Sequence, residues 1–487
     1  MNKIFRFFLC YLGGILLIMP FWINRIFGAG ITVEQILFQL FSGVDGVAGT
    51  DFSIKRSFVL FNLVGPLAFP LLCTAFQMLF DRMSGYRRRE LINNVFGIAS
   101  LIFFVIGSII FDWTINLHQY ILSRFGNDTF SGLYADPVKQ HFKAPALKKN
   151  LVLIYVESLE TDLSDLRPNH INAIQEIDDL PGQQVRNFLQ APGTNWSIAG
   201  MIASQAGIPL KPYFRFNDGN SIKTDYLPNL YCLSDVLAKE GYVQYFLVGC
   251  DLKFNGMNNF YNSHHYNYVF GLDEWRSLGV DKKCFGGWGG GLYDDDLLDQ
   301  AYRIIAENRL KRRNFAITIE TLDTHSPNGI HSPRCCKAEA AEGFIGAFKY
   351  GSRYLSGFIN RLISDGSLKD TDIIIMGDHL FMANDDQVKE HFARERRVYF
   401  KMITRENRKP CRDKMTHFDV APTVLDLLGF RSDEDEHFGL GISLFSKISP
   451  SDYDLHLRQV LNSDILNRSV VYDHFWNSVS KGVARKY

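Results

Sequence analysis

Three uncharged apolar runs stand before Asp112: Phe7 to Ile23, Ser57 to Phe80 and Leu91 to Phe111. Each is close to the ~20 residues an α-helix needs to cross a bilayer core. One such run alone reads as a buried helix. Three in succession predict a transmembrane anchor of about three spans over residues 1–115. The first run also reads as a signal peptide, with Lys3 and Arg6 before it and Gly28-Ala29-Gly30 after it. Between the second and third runs, Asp81 to Glu90 is rich in arginine and belongs on the cytoplasmic side, so the third span exits and everything after about residue 115 lies outside. "ITVEQILFQLFSG", with Ile36, Leu37, Leu40 and Phe41, reads equally as a short amphipathic helix on the outer surface or as a loop. Residues 116–149 read as an interfacial linker with a helical start, because Tyr120 and Phe125, like Trp113 just before, suit a headgroup zone.

The balance of charge narrows the partners. With 52 basic and 52 acidic residues, no nucleic-acid partner held by electrostatics is expected. Of the eight cysteines, Cys10 and Cys73 lie in spans, and the other six allow three bridges in an oxidising compartment. No Cys-x-x-Cys or His-rich pattern of zinc-finger spacing occurs, which argues against a structural zinc.

Beyond Lys149 the pattern alternates. "NLVLIYVES", "VQYFLVG", "FAITIE", "TDIIIMGDH" and "RVYFKMI" are short β-rich runs, mostly apolar throughout, as in strands buried on both faces. Helical windows at 229–240, 294–308, 341–363 and 419–429 separate them. This is an α/β sheet sandwiched by helices, and in such sheets sites gather at the carboxyl ends of strands. Glu157 ends the first strand, Asp378 and His379 follow another, and Asp323 and His325 a third. Two carboxylates and a neutral imidazole at strand ends suit a divalent cation. Thr194, in "GTNWSIAGMIASQAGIP", precedes a helix-like run. It reads as an N-cap, or as a hydroxyl that a metal ion and the helix dipole turn into a nucleophile toward a phosphoryl group.

The set "IYVES", "GTNWSIAGMIASQAGIP", "DTHSP" and "MGDH" after an N-terminal membrane bundle resembles the membrane-anchored phospho-group transferases of the sulfatase and alkaline phosphatase superfamily. That family includes lipoteichoic acid synthases, phosphoethanolamine transferases and phosphoglycerol transferases. "GTNWSIAGMIASQAGIPL" and "WGGGLYDDDLL" are most similar to the phosphoglycerol transferase I type. The resemblance, over roughly residues 130–450, implies a sulfatase/alkaline-phosphatase-like sheet for an extracytoplasmic catalytic domain at 150–450, with 451–487 as a C-terminal tail. It implies one divalent metal ion, manganese or zinc, on Glu157, Thr194, Asp378 and His379. Thr194 is then the catalytic nucleophile and His325 binds the transferred phosphate. Ser197 is the rival nucleophile; the spacing from Thr194 to Gly207 matches the family. The Trp and Arg that hold glycerol phosphate in lipoteichoic acid synthases have no clear counterpart in "GCDLKFNGMNNFYNSHHYNYVFG", where Lys253, His264 and His265 read at least as well as a solvated loop.

The implied activity is transfer of phosphoglycerol from phosphatidylglycerol to an extracytoplasmic glycan through a phospho-threonine-type intermediate. The alternative is a phosphoethanolamine transferase acting on lipopolysaccharide or lipid A. A non-catalytic envelope protein is less favoured, since all four ligand positions are filled. The expected partners are a phospholipid donor in the membrane and a glycan or lipopolysaccharide acceptor. The expected location is the bacterial inner membrane, multi-pass, with the catalytic domain on the periplasmic side.

Overall fold

The computed structural model describes residues 2–27, 31–42, 52–83, 86–166, 169–211, 226–325, 329–382, 392, 395–432 and 437–477. Gly28-Ala29-Gly30, Ser326-Pro327 of the "DTHSP" motif and residues 478–487 lie outside them. The chain divides into two compact units, one holding the N-terminal helices and one that includes Leu122–Phe381.

In the first unit, α1 (Lys3–Phe27), α3 (Ala68–Met83) and α4 (Tyr86–Ile115) coincide with the apolar runs, and three stretches, Lys3–Ile26, Lys55–Phe80 and Glu90–Ile115, are long and apolar enough to cross a membrane. Small residues let α1 and α4 approach closely: a Cβ on Gly107 would meet the carbonyl of Gly13, and Cys10 donates to the Ser100 hydroxyl at 3.1 Å. The segment that reads equally as helix or loop is helical, α2 (Val33–Ser42).

The second unit is built on a seven-stranded sheet. In chain order its strands are β1 (Asn150–Val156), β2 (Gln183–Gln184), β3 (Val243–Val248), β4 (Tyr268–Phe270), β5 (Phe315–Thr321), β6 (Thr371–Gly377) and β7 (Phe400–Ile403). Across the sheet they run β2-β7-β6-β1-β5-β3-β4. Every β-rich run of the sequence is thus a strand. β1 is central and parallel to both β5 and β6, and only the β7 pairings are antiparallel. All residues of β1, β5 and β6 are buried, as parallel strands covered on both faces require. On one face Leu151, Leu153 and Tyr155 join a cluster with α5 (Ser197–Ala206) and α10 (Val420–Leu427). Val152 and Ile154 alternate to the other face and are equally inaccessible.

Three further helices, α6 (Leu233–Lys239), α8 (Asp294–Leu310) and α9 (Phe344–Ser364), fall on sequence windows, whereas α7 (Met257–Ser263) lies outside every window. Residues of 451–477, among them Tyr453, Leu457, Ile465 and Trp476, contribute to the same core cluster. All eight cysteines are free, so none of the three bridges that their number allows is formed. His264 is only 1% exposed, at the end of α7, so the solvated-loop reading fails for it.

Candidate metal centre

Sheet register builds this site. Val156 of β1 lies level with Thr321 of β5 and Gly377 of β6, so the next residues, Glu157 and Asp378, leave adjacent strand ends side by side. Ser158 then takes a left-handed φ of 60°, uncommon for a residue with a side chain. That turn points its N–H at Asp378 Oδ1 (2.8 Å) and its hydroxyl at Glu157 Oε1 (2.6 Å). These two bonds hold the strained backbone in place.

His379 completes the cluster. Its Nδ1 lies 2.8 Å from the carbonyl oxygen of Leu380, which can only accept, so Nδ1 carries the proton. In the neutral ring Nε2 therefore presents a lone pair, 3.2 Å from Asp378 Oδ2 and 3.5 Å from Glu157 Oε1. Asp378 Oδ2 is buried and has no hydrogen-bond partner. Three acceptors facing one point with an orphaned oxygen among them call for a cation, and two carboxylates with one imidazole fit a divalent ion. The same imidazole-to-carbonyl bond is the usual device that orients a ligating histidine.

Electrostatics agree with the geometry. Burial acts to raise the Glu157 carboxyl, but His325, His379 and the hydroxyls of Ser158 and Ser197 outweigh it and hold it low. Burial, then the Glu157 charge, push Asp378 up. Burial opposes a charged His379, yet the two carboxylates raise it.

Thr194 and Ser197, the two candidate nucleophiles, stand differently toward the cluster. The helix begins at Ser197 with Trp196 as its N-cap and no side-chain cap, so the capping role does not fall to Thr194. Thr194 is fully buried, and its hydroxyl donates to the carbonyl of Ala191 at 2.8 Å. The hydroxyl that touches the cluster is that of Ser197, 3.1 Å from Glu157 Oε2 and 3.5 Å from His379 Nε2. α5 comes this close because Gly200 has no side chain: a Cβ there would run into the carbonyl of Asp378. At the other end Gly207 takes a φ of 65° and closes the helix.

His325 is half-buried and packs at a tilt against Trp288, with ring centroids 4.5 Å apart. Trp288 opens "WGGGLYDDDLL", a motif legible in the sequence although no site role follows for its first residue. Phe254 packs on the same indole at 4.6 Å. Asp323 turns away from the cluster: its Oδ2 accepts the N–H of Asp294, whose own carboxylate accepts the N–H groups of Leu322 and Asp323.

Other supports carry no sequence signal. His417 Nε2 donates to the carbonyl of Asp378 at 2.7 Å, and burial pushes this imidazole down to about 3, so it stays neutral. Arg396 grips both oxygens of buried Glu160 at 2.8 Å and donates to the carbonyl of Phe381 at 2.7 Å, tying the chain after His379 to the chain after Glu157. Gln190 accepts the N–H of Leu380 at 2.8 Å.

A sulfatase family model matches residues 149–430. Phosphoglycerol transferase I of Escherichia coli (strain SMS-3-5 / SECEC) is 33% identical over 352 residues, 69% of this chain and 44% of that protein. The chain therefore spans less than half the length of that relative. In fold, the lipoteichoic acid synthase LtaP from Listeria monocytogenes is similar with a TM-score of 0.50 at 18% identity, over 62% of this chain and 76% of that one. The integral membrane lipooligosaccharide phosphoethanolamine transferase A from Neisseria meningitidis is similar with a TM-score of 0.50 at 12% identity, over 88% of this chain and 84% of that one.

Proposed function

Because the chain belongs to the sulfatase family, we propose that it is a metal-dependent transferase that moves phosphoglycerol from phosphatidylglycerol to an extracytoplasmic glycan. The observation that carries this reading is the convergence of Glu157, Asp378 and His379 beside the start of α5, with both carboxylates within 3.5 Å of His379 Nε2. The match to phosphoglycerol transferase I supports the head group. The three apolar helices support a multi-pass inner-membrane location, with residues 150–450 as the periplasmic catalytic domain and a membrane phospholipid as donor.

A divalent ion, manganese or zinc, on Glu157, Asp378, His379 and Thr194 would supply Lewis acidity, lowering the pKa of a ligating hydroxyl and neutralising phosphoryl charge. Thr194 Oγ1 attacks phosphorus, the bond to the diacylglycerol oxygen breaks, and diacylglycerol leaves with a proton. His325, held by Trp288, donates to a phosphoryl oxygen. An acceptor hydroxyl then attacks the phosphoglycerol-threonine, giving up its proton and restoring Thr194. For this step the Thr194 hydroxyl must turn from Ala191, a rotation about one side-chain bond.

A second reading makes Ser197 the nucleophile, and its contact with Glu157 at 3.1 Å favours it. Incubation with lipid labelled in the head group, followed by mass spectrometry, separates the two. A label on the Thr194 residue supports the first, a label on Ser197 moves the role, and no adduct even in a slow-turnover variant removes the covalent route. Diacylglycerol release from phosphatidylethanolamine but not from phosphatidylglycerol would reassign the head group to phosphoethanolamine.

A further inference from the structure

A second cluster of ligand-type side chains lies in the same unit, where α6 begins and α7 ends. Cys232, Asp235 and His264 are buried, and one ligand atom from each lies within 4.8 Å of the others. His265 adds a second imidazole, its Nε2 3.4 Å from Asp235 Oδ1. No part of the proposed reaction uses these residues.

Tautomer logic applies again. His264 Nε2 lies 3.2 Å from the carbonyl oxygen of Tyr226, so Nε2 carries the proton and Nδ1 turns toward Asp235 Oδ2 at 3.6 Å. Separations of 3.4 and 3.6 Å exceed those of good N–H···O bonds, about 2.7–3.2 Å. The outer contacts are also those of a ligand set. Tyr226 orients His264, and the N–H of Cys232 donates to Asp235 Oδ2 at 2.6 Å. His265 takes a φ of 61°, and this turn brings two consecutive imidazoles to one carboxylate. Its side chain is 44% exposed, which leaves a route of entry.

We propose that Cys232, Asp235 and His264 form a three-ligand site for zinc or another thiophilic divalent ion, distinct from the Glu157 cluster, with His265 supporting it from the far oxygen of Asp235. A thiolate and an imidazole beside one carboxylate favour zinc over manganese or magnesium. An ion held by these three residues fastens the start of α6 to the turn after α7. Burial pushes the Cys232 thiol well above its usual range, so a bound cation is what makes it a thiolate. The sequence expectation of no structural zinc rests on zinc-finger spacing. Here a helix-start cysteine, an aspartate three residues on and the distant His264 supply the ligands instead.

The test uses the full chain in detergent, loaded with cobalt as a spectroscopic stand-in. A thiolate-to-cobalt charge-transfer band is expected in the wild type and in Asp378→Ala, and it should vanish in Cys232→Ser. The zinc bound by the purified protein should fall by about one ion per chain in Cys232→Ser. If that variant does not fold, His265→Asn, altered at a half-exposed side chain, should bind cobalt at least about ten-fold more weakly. A folded wild type without the band, a band that survives Cys232→Ser, or wild-type affinity in His265→Asn overturns the site. Because Asp378→Ala disables only the other cluster, failure here is distinguishable from failure of the catalytic reading.

Discussion

Gly200 lies against the carbonyl oxygen of Asp378, so close that no side chain fits between them. The helix that carries Ser197 is thereby seated on the strand end that carries the proposed ligand Asp378. Gly200→Ala is expected to push the two apart, costing about 1–3 kcal/mol as overpacking does. A melting temperature lowered by several degrees, with metal content and donor hydrolysis falling together, is the expected result. An unchanged melting temperature and full activity would show that this contact does not set the site.

The roles around the cluster should separate in three variants. Asp378→Ala is expected to lose ion and activity together. Thr194→Ala should abolish turnover yet keep Glu157, Asp378 and His379, so the ion binds more weakly but still binds. His325→Ala should leave metal content unchanged while turnover falls roughly 10²- to 10³-fold, the usual cost of one preorganised donor. Trp288→Ala, which removes the ring packed against His325, should give a smaller fall in the same direction. Full activity in a folded His325→Ala takes that residue out of the site.

His417 acts through Asp378, as a positioning residue. His417→Gln can keep a donor to the Asp378 carbonyl, whereas His417→Ala cannot, so metal affinity should fall roughly 10- to 100-fold in the alanine variant. Partial rescue by glutamine is the readout that a general loss of packing would not produce. Equal affinity in both variants and the wild type would show that the bond is dispensable.

Lys211 gives a prediction in pH. Its ammonium donates to the carbonyl of Asn467 at 2.9 Å and stands over the rings of Phe130 and Tyr472, and burial pushes it down to about 7. The unfolded chain holds this proton up to an ordinary lysine pKa near 10.4. Between about pH 7 and 10 the unfolded state binds more protons, so this residue makes stability rise with pH, by at most about 1.4 kcal/mol per unit. Below pH 7 the burial cost is present in full. Lys211→Met should therefore gain most over the wild type near pH 6, with the gain shrinking toward pH 10. A gap in melting temperature that does not change with pH would rule this out.

The strands were legible because buried parallel strands are continuously apolar, and Glu157, Asp378 and His379 because they follow such strands directly. His417 and Arg396 were not, since each acts by reaching across from a distant segment, and distance along the chain carries no periodic signal. Thr194 and Ser197 show a finer limit. Motif spacing ranks them, but which hydroxyl meets Glu157 depends on where the helix starts, a matter of two or three residues that sequence patterns do not resolve. His264 looked like loop because "NSHHYNY" is polar throughout, and only tertiary packing buries it.

The level strand ends have a consequence for biogenesis. The gap between Glu157 and Asp378 is fixed by the pairing of Val156 with Gly377, and a slip of one residue would carry Asp378 about 3.3 Å along the sheet and turn it to the opposite face. A chain that has paired its central strands correctly has already assembled its ion cradle, and one that has not can make no partial version of it. Competence to take up metal would then be a report on folding, because copies with slipped strands would carry no half-formed site.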